Sequence, residues 1–447
     1  RAHKLTNIGD RKPLMRNTNF WQVIGKNLWT YVILSLLVFY TLLYLTLDLP
    51  ANMDSFASVN PLRTLLGGLA TGLITAQALV FTISLVAAQL NARYTHRIVA
   101  RMFAWPTGLF MGLFIGSSIY SMVVLAALSA QPSYFMITLP IIRLNLHPVT
   151  LALAMAGTCL GLLVPYLWSF KRKLDPECMA IDEGNRSIAY LRKHQGLEPP
   201  GIAALDNIIM SAYTYKDYDT FIRGLDELSK VGLEAWLVEQ SNLGESIFRR
   251  LTQIGISSID DPRAPFEVIR FIESVGAILT ENSLPEGSRR AAVAVSGIGE
   301  IAVEELHIAV LSRAADALTI LGDKSVDNGL PSTAEETVYS LGSLGLMASR
   351  KSLENSIRQI AILLRRVGIR ASGATLDLVT RQAVISLWSL GGSTHRNLHS
   401  CTEMVIRELE LMEQVTDRAF IEASYLATPQ GEDLRNFRQH YIKEIHS

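Results

Sequence analysis

Four apolar segments, Leu28 to Leu49, Gly67 to Leu90, Gly108 to Ala130 and Val149 to Phe170, fall within the first 170 residues, and none follows. Each has at least 22 residues, and roughly 20 residues at about 1.5 Å rise cross a hydrocarbon core. Backbone amides in lipid must bond within their own segment, so each is expected to be a helix. The expected fold is all-α: a basic leader 1–27, a four-span membrane domain 28–170, a linking helix and break 171–200, and a helical tail 201–447.

Lys and Arg resist translocation and collect on the cytoplasmic side. The leader carries Arg1, Lys4, Arg11, Lys12, Arg16 and Lys26, the second loop Arg93, Arg97 and Arg101, and the fourth segment runs into Lys171-Arg172-Lys173. The other two loops hold only Arg63 and Arg143. Both termini and the tail are therefore expected in the cytoplasm, with the spans in a plasma (inner) membrane. The first apolar run is too long for a cleaved signal peptide, and no small-residue cleavage site follows it.

The net charge of zero hides an asymmetry. Residues 1–170 contain 11 Lys plus Arg against 3 Asp plus Glu, leaving 30 and 38 for the rest. A basic membrane part with an acidic tail suits the lipid bilayer as partner and argues against nucleic acid. Cys159, Cys178 and Cys401 have no metal or redox spacing and fit a reducing compartment.

The tail repeats. Gly276, Gly322 and Gly368 are 46 residues apart, and Gly299, Gly345 and Gly391 lie midway with the same spacing. Gly232 and Gly255 extend both sets at a spacing of 44. Each follows a run of helical apolar spacing, so the glycines are expected to close helices as C-caps, two helices to a repeat. That size belongs to HEAT and armadillo solenoids and predicts about four and a half helical pairs over 217–415. An irregular bundle with coincidental glycine spacing is the alternative. Leu174 to His194 is expected to continue the fourth span as one helix until Gln195 to Gly201, with its two prolines and two glycines, breaks it. Pro429-Gln430-Gly431 sets off a last helix, Glu432 to Ile445.

The second span carries the functional signal. Gly68, Thr71, Gly72, Thr75, Thr82 and Gln89 share an arc of about 100° on a helix. Such a face in hydrocarbon must meet protein or water, so it either lines a pore or packs against a neighbour. Gln77 and Ser84 lie opposite. The third span adds Gly108, Gly112 and Gly116, which suit close helix packing, then Ser117, Ser118, Tyr120 and Ser121. The second, third and fourth segments hold no Asp, Glu, Lys or Arg, so a proton pump or voltage sensor lacks its usual residues.

Asp323 to Gly329 alternates oxygen side chains as calcium loops do, but glycine comes one place late and position twelve is Ala334, which favours a solvated turn. His395 and His399 sit one helical turn apart near Cys401, a spacing zinc could use; surface histidines are the plainer reading. No metal or cofactor is expected. No serine elbow, phosphate loop or zincin motif occurs, and the chain is not expected to be an enzyme.

The run Leu79-Val80-Phe81-Thr82-Ile83-Ser84-Leu85-Val86-Ala87-Ala88-Gln89-Leu90, then Tyr94-Thr95-His96-Arg97 and Gly112-Leu113-Phe114-Ile115-Gly116, resembles the bacterial predicted membrane proteins grouped as domain of unknown function (DUF) 2254. Thr95-His96 stands where that pattern has Ser-Pro. A looser similarity is Ile259-Asp260-Asp261-Pro262, set between helices like the family's Ile-Asn-Asp-Pro element, with Asp260 for Asn. The resemblance singles out Arg97 at a cytoplasmic mouth and Asp260, Asp261 and Pro262 in a turn; a positive-inside anchor is the plainer role for Arg97. It implies membrane residence and no defined mechanism. The expected function is a homo-oligomeric ion channel lined by the second span, with the tail as gate or vestibule; the alternative is an anchored scaffold whose tail binds a cytoplasmic protein.

Overall fold

The computed structural model describes residues 33, 36–41, 59–91, 105–130, 137–139, 144–146, 148–194, 197–414 and 416. The basic leader, Arg93, Arg97 and Arg101, most of the first apolar segment, and the final helix expected at Glu432 to Ile445 lie outside the described residues. The chain divides into two compact units, 1–179 and 180–447. Among the described residues both are helical, apart from one small β-ribbon.

In the first unit the helices are α1 (Val59–Asn91), α2 (Trp105–Ala130) and α3 (Pro148–Leu174), with strands β1 (Ile137–Leu139) and β2 (Leu144–Leu146) between α2 and α3. Two stretches, Arg63–Val86 and Phe110–Ala127, are long and apolar enough to span a bilayer, and α3 contains a shorter apolar stretch, Pro148–Leu163. Each helix packs on the other two. Leu66 near the start of α1, Val124 near the end of α2, and Val149 and Ala152 at the start of α3 form one buried cluster, as consecutive helices running antiparallel require. Further along, the Phe110 ring stacks on Tyr166 at 4.2 Å between centroids. Val38, from the described part of the first segment, lies over Gly161 of α3.

The expected continuous helix from Leu174 to His194 is broken. Helix α3 stops at Leu174 and α4 (Pro176–Leu191) starts two residues later. Pro176 is the cause: it has no N–H to give the preceding turn, and its ring pushes residue 175 out of the helical region. Asp175 caps the new start, its Oδ1 accepting from the Glu177 N–H at 3.1 Å.

The second unit continues through α5 (Gly201–Thr214), α6 (Tyr218–Leu237), α7 (Ser241–Ser257), α8 (Arg263–Glu281), α9 (Pro285–Glu304), α10 (Ile308–Asp327), α11 (Pro331–Arg350), α12 (Glu354–Gly373), α13 (Asp377–Asn397) and α14 (His399–Glu413). Each helix from α6 onward packs on the next and on the next but one. That places α6, α8, α10, α12 and α14 in one row and α7, α9, α11 and α13 in a second. Leucine, isoleucine, valine and alanine at helical spacing fill the space between the rows, as Val310, Leu311, Ala314, Leu318 and Leu321 do in α10, all fully buried. Each large aliphatic side chain buried this way contributes about 1.5–3 kcal/mol.

The period is real, but its cause differs from the expectation. Helices α9 to α12 each have 20 residues, and their starts recur every 23. Gly276, Gly299, Gly322, Gly345, Gly368 and Gly391 do not cap these helices; they lie inside α8 to α13. The residues that end helices in the left-handed conformation are Lys216, Glu239, Ser283, Leu306, Gly329, Ser352 and Thr375, with φ between 57° and 65°. Around each runs the same bond pair, as in Ser283 N–H to Thr280 O and Leu284 N–H to Leu279 O, the Schellman arrangement. Only one of the seven is glycine. The interior glycines serve close approach: a methyl group on Gly276 would lie 2.7 Å from the Ala291 Cβ and 2.9 Å from Leu321 Cδ2.

Candidate site on the membrane helices

Helix α1 has two faces with different fates. Leu66, Ala70, Leu73, Val80 and Ser84, at steps of three, four and seven, are buried inside the unit, the spacing of a helix seam. Gly68, Thr71, Gly72, Thr75, Thr82 and Gln89 are all exposed. Among the described residues, nothing beyond the helix's own backbone and the adjoining residues comes within 4 Å of where a Cβ on Gly68 or Gly72 would sit. The small polar face is thus unused by the described residues of its own chain.

Two hydroxyls on that face bond their own helix: Thr75 Oγ1 donates to Thr71 O at 2.9 Å and Thr82 Oγ1 to Ala78 O at 2.8 Å. This uses up each donor and leaves lone pairs and a methyl group outward, so the face tolerates either water or a packed neighbour. Helix α2 repeats the pattern. Gly108, Gly112 and Gly116 are exposed, and none meets anything within 4 Å, so these glycines do not mediate packing among the described helices of this chain.

The interior of the unit is also polar. Ser84, Ser117, Ser118, Ser121, Thr158 and Cys159 are buried, with Ser117 beside the Cys159 thiol. Ser118, Ser121 and Thr158 donate to carbonyls one turn back, at 2.9, 2.8 and 2.7 Å. Helical spacing alone did not single out this seam, because Ser117 and Ser121 share a helix with the glycine stripe and Cys159 lies on another.

In the second unit the turn Ser258 to Pro262 joins α7 to α8. Asp261 accepts from the Tyr218 hydroxyl of α6 and from the Arg263 N–H at 3.2 Å, so it ties two helices of one row and caps α8. That hydrogen bond raises the Tyr218 phenol above its ordinary value; burial, with Asp261 and Asp260 nearby, raises Tyr213. Asp260 is exposed. These contacts hold the turn against the start of α6.

The calcium-like loop is not a loop: Asp323 to Asp327 are the last residues of α10. Asp323 faces Arg366 at 2.7 Å and Arg370 at 3.4 Å on α12, and Asp327 meets Arg370 at 2.7 Å. Similar ion pairs link Glu273 to Arg313 and Glu281 to Lys324 one step earlier in the row. His395 ends α13 whereas His399 and Cys401 begin α14, so the three do not share a helix. No group of three or more metal-ligating side chains occurs among the described residues.

Sequence reasoning missed the buried acids at the junction of α4, α5 and α6. Glu183 and Glu227 are each 4% exposed. The Glu227 carboxylate packs on Gly184, where a Cβ would lie 2.6 Å from its Oε2, and it accepts from Lys230 Nζ at 2.9 Å. A Glu-Gly pair in α4 followed by Pro-Pro-Gly was the only local trace of this close packing.

Two helices long and apolar enough to span a bilayer agree with what comparison finds. Residues 25–181 match the family model described as Predicted membrane protein (DUF2254). The match covers α1, α2, α3 and the ribbon, and so the motif residues 79–97 and 112–116; it stops short of Asp260, Asp261 and Pro262. No curated protein and no solved structure matches the chain. The matched segment holds both helices that are long and apolar enough to span a bilayer, and the helical rows of the second unit lie almost wholly beyond it.

Proposed function

We propose that the DUF2254 segment forms the pore of a homo-oligomeric ion channel, lined by the α1 face Gly68, Thr71, Gly72, Thr75, Thr82 and Gln89. One observation carries the reading: that face is exposed while the opposite face of α1 makes the packing inside the unit. A polar helix face has no favourable place against lipid tails, and a single small bundle encloses no hydrated path, so a ring of copies around an axis gives the face its water. In this reading four spans cross the plasma membrane of a bacterium with both termini in the cytoplasm. The helical rows form a HEAT-like or armadillo-like α-solenoid that acts as gate or vestibule.

A second reading is favoured by the back-bonded Thr75 and Thr82 hydroxyls, which lower the need for water. In it the α1 face packs copy against copy, and the solenoid is a scaffold for a cytoplasmic protein. Neither reading involves catalysis.

Purified protein in liposomes decides between them through unitary currents recorded with the native mass of the same sample. A multimer whose conductance changes in Thr75→Trp and Thr82→Trp supports the channel. A folded multimer silent under all conditions supports the scaffold, and a monomer sinks both as stated.

A further inference from the structure

The α1 face assigned to the pore is not polar throughout. At about 100° per residue, Leu79 and Val86 fall inside the same arc as Thr71, Thr75, Thr82 and Gln89. Their exposure agrees with that placement: Leu79 is 61% exposed and Val86 49%, whereas Val80, the next residue after Leu79, is 6% exposed in the seam. Helix α1 runs without a break from Val59 to Asn91, so the order along the face is set. Gly68, Thr71, Gly72 and Thr75 come first, then leucine, threonine, valine and glutamine.

That order is a profile of width and of wetting. Gly68 and Gly72 put no side chain outward, and Leu79 reaches further from the helix than the threonine one turn away on either side. Those threonines are Thr75 and Thr82, whose hydroxyls donate to Thr71 O at 2.9 Å and to Ala78 O at 2.8 Å. From Thr75 to Thr82 this face therefore offers water acceptors and an apolar side chain, with no donor left over. Water in a neck of that kind is poorly held, and an apolar constriction closes to ions by drying rather than by a physical plug. Val86, about 10 Å further along the axis, repeats the apolar level with a shorter side chain.

We infer that Leu79 is the hydrophobic gate of the pore, with Val86 as a second and weaker constriction. This rests on the channel reading of the α1 face and gives that channel its closed state.

The test compares the full native chain with Leu79→Ser and Ile74→Ser in potassium-loaded liposomes, following potassium efflux, unitary currents and native mass on each preparation. Ile74 is 43% exposed and lies outside the arc, so its variant makes a similar polar change away from the gate. The expected result is efflux several-fold faster than the parent from Leu79→Ser and at the parent rate from Ile74→Ser, with the parent mass in both. Leu79→Ser at the rate of a parent that itself conducts would overturn the gate and leave the pore standing. Equal acceleration in both serine variants would overturn the gate, because polarity anywhere on the exposed helix would then suffice. Silence from the parent and from Leu79→Ser, both folded multimers, would overturn the pore and the gate together. Should Leu79→Ser lose the parent mass, Leu79→Thr, which matches the flanking threonines and keeps a branched side chain, takes its place with the same expectations.

Discussion

Gly276 of α8 and Ala291 of α9 approach so closely that a methyl on Gly276 would sit 2.7 Å from the Ala291 Cβ. Neither partner has a torsion that relieves the clash, since the contact is Cβ to Cβ. Overpacking of this kind costs about 1–3 kcal/mol. Gly276→Ala should lower the thermal midpoint of the second unit, whereas Gly373→Ala, at a site with open space, should not. Calorimetry of both variants checks this, and equal midpoints would refute it.

Thr375 makes the opposite case. It ends α12 at φ 59°, where its branched Cβ crowds the backbone, and its side chain is exposed. Glycine removes a strain of about 1–2 kcal/mol but adds freedom to the unfolded chain. The expected net gain for Thr375→Gly is about 0.5–1 kcal/mol, seen as a higher denaturation midpoint. Gly329→Thr, the same exchange reversed one repeat earlier, should lose a similar amount.

These two sites explain how the repeat was legible. Glycines at a spacing of 46 mark the period correctly because each helix in a stack needs a small residue where its neighbour crosses. They say nothing about where helices end. The ends are set by a bond pattern that Ser283, Leu306, Ser352 and Thr375 adopt against their own preference, stabilised by the aliphatic residues around them, so no turn signal shows in the sequence. The polar arc on α1 was legible because one helix carries all of it. The Glu183 and Glu227 junction was not, because it assembles from three helices. The Asp175-Pro176 break was legible in principle: Pro176 forbids the continuous helix expected there.

Glu227 gives the second unit a pH response. Burial raises its carboxyl above the ordinary value by more than the Lys230 hydrogen bond lowers it; Asp226 adds to the rise and Arg223 opposes it. For Lys230, burial acts downward, yet hydrogen bonds to Asp226 and Glu227 raise it overall. The two shifts weigh the pair oppositely, and Glu227 decides near neutrality because its side chain is 6% exposed against 38% for the lysine. A folded acid with a raised value holds its proton more tightly than the unfolded one, so its contribution is full below the unfolded value and is lost as pH rises through the folded value. Glu227→Gln should therefore melt above the parent at about pH 8, the gap closing toward about pH 4. Melting curves across that range with a constant gap would contradict the assignment.

Leu73 and Thr75 stand two residues apart on α1 and serve different partners. Leu73 is 2% exposed in the seam of its own bundle, while Thr75 lies on the exposed face opposite. Truncating a buried leucine leaves a cavity and costs about 2–5 kcal/mol in well-packed interiors. Leu73→Ala should therefore loosen the bundle itself, measured as faster unfolding in denaturing detergent, at every protein concentration. Thr75→Leu removes its bond to the Thr71 carbonyl one turn back but no contact with another described helix, and should unfold at about the parent rate. If this face packs copy against copy, the effect belongs to assembly: a bulky aliphatic side chain in place of a compact threonine blocks close approach of a second helix, and the native mass should shift toward smaller species. Equal unfolding and equal mass for Thr75→Leu would exclude the packing of this face copy against copy, and a helix interface would have to be sought at Gly108, Gly112 and Gly116 instead.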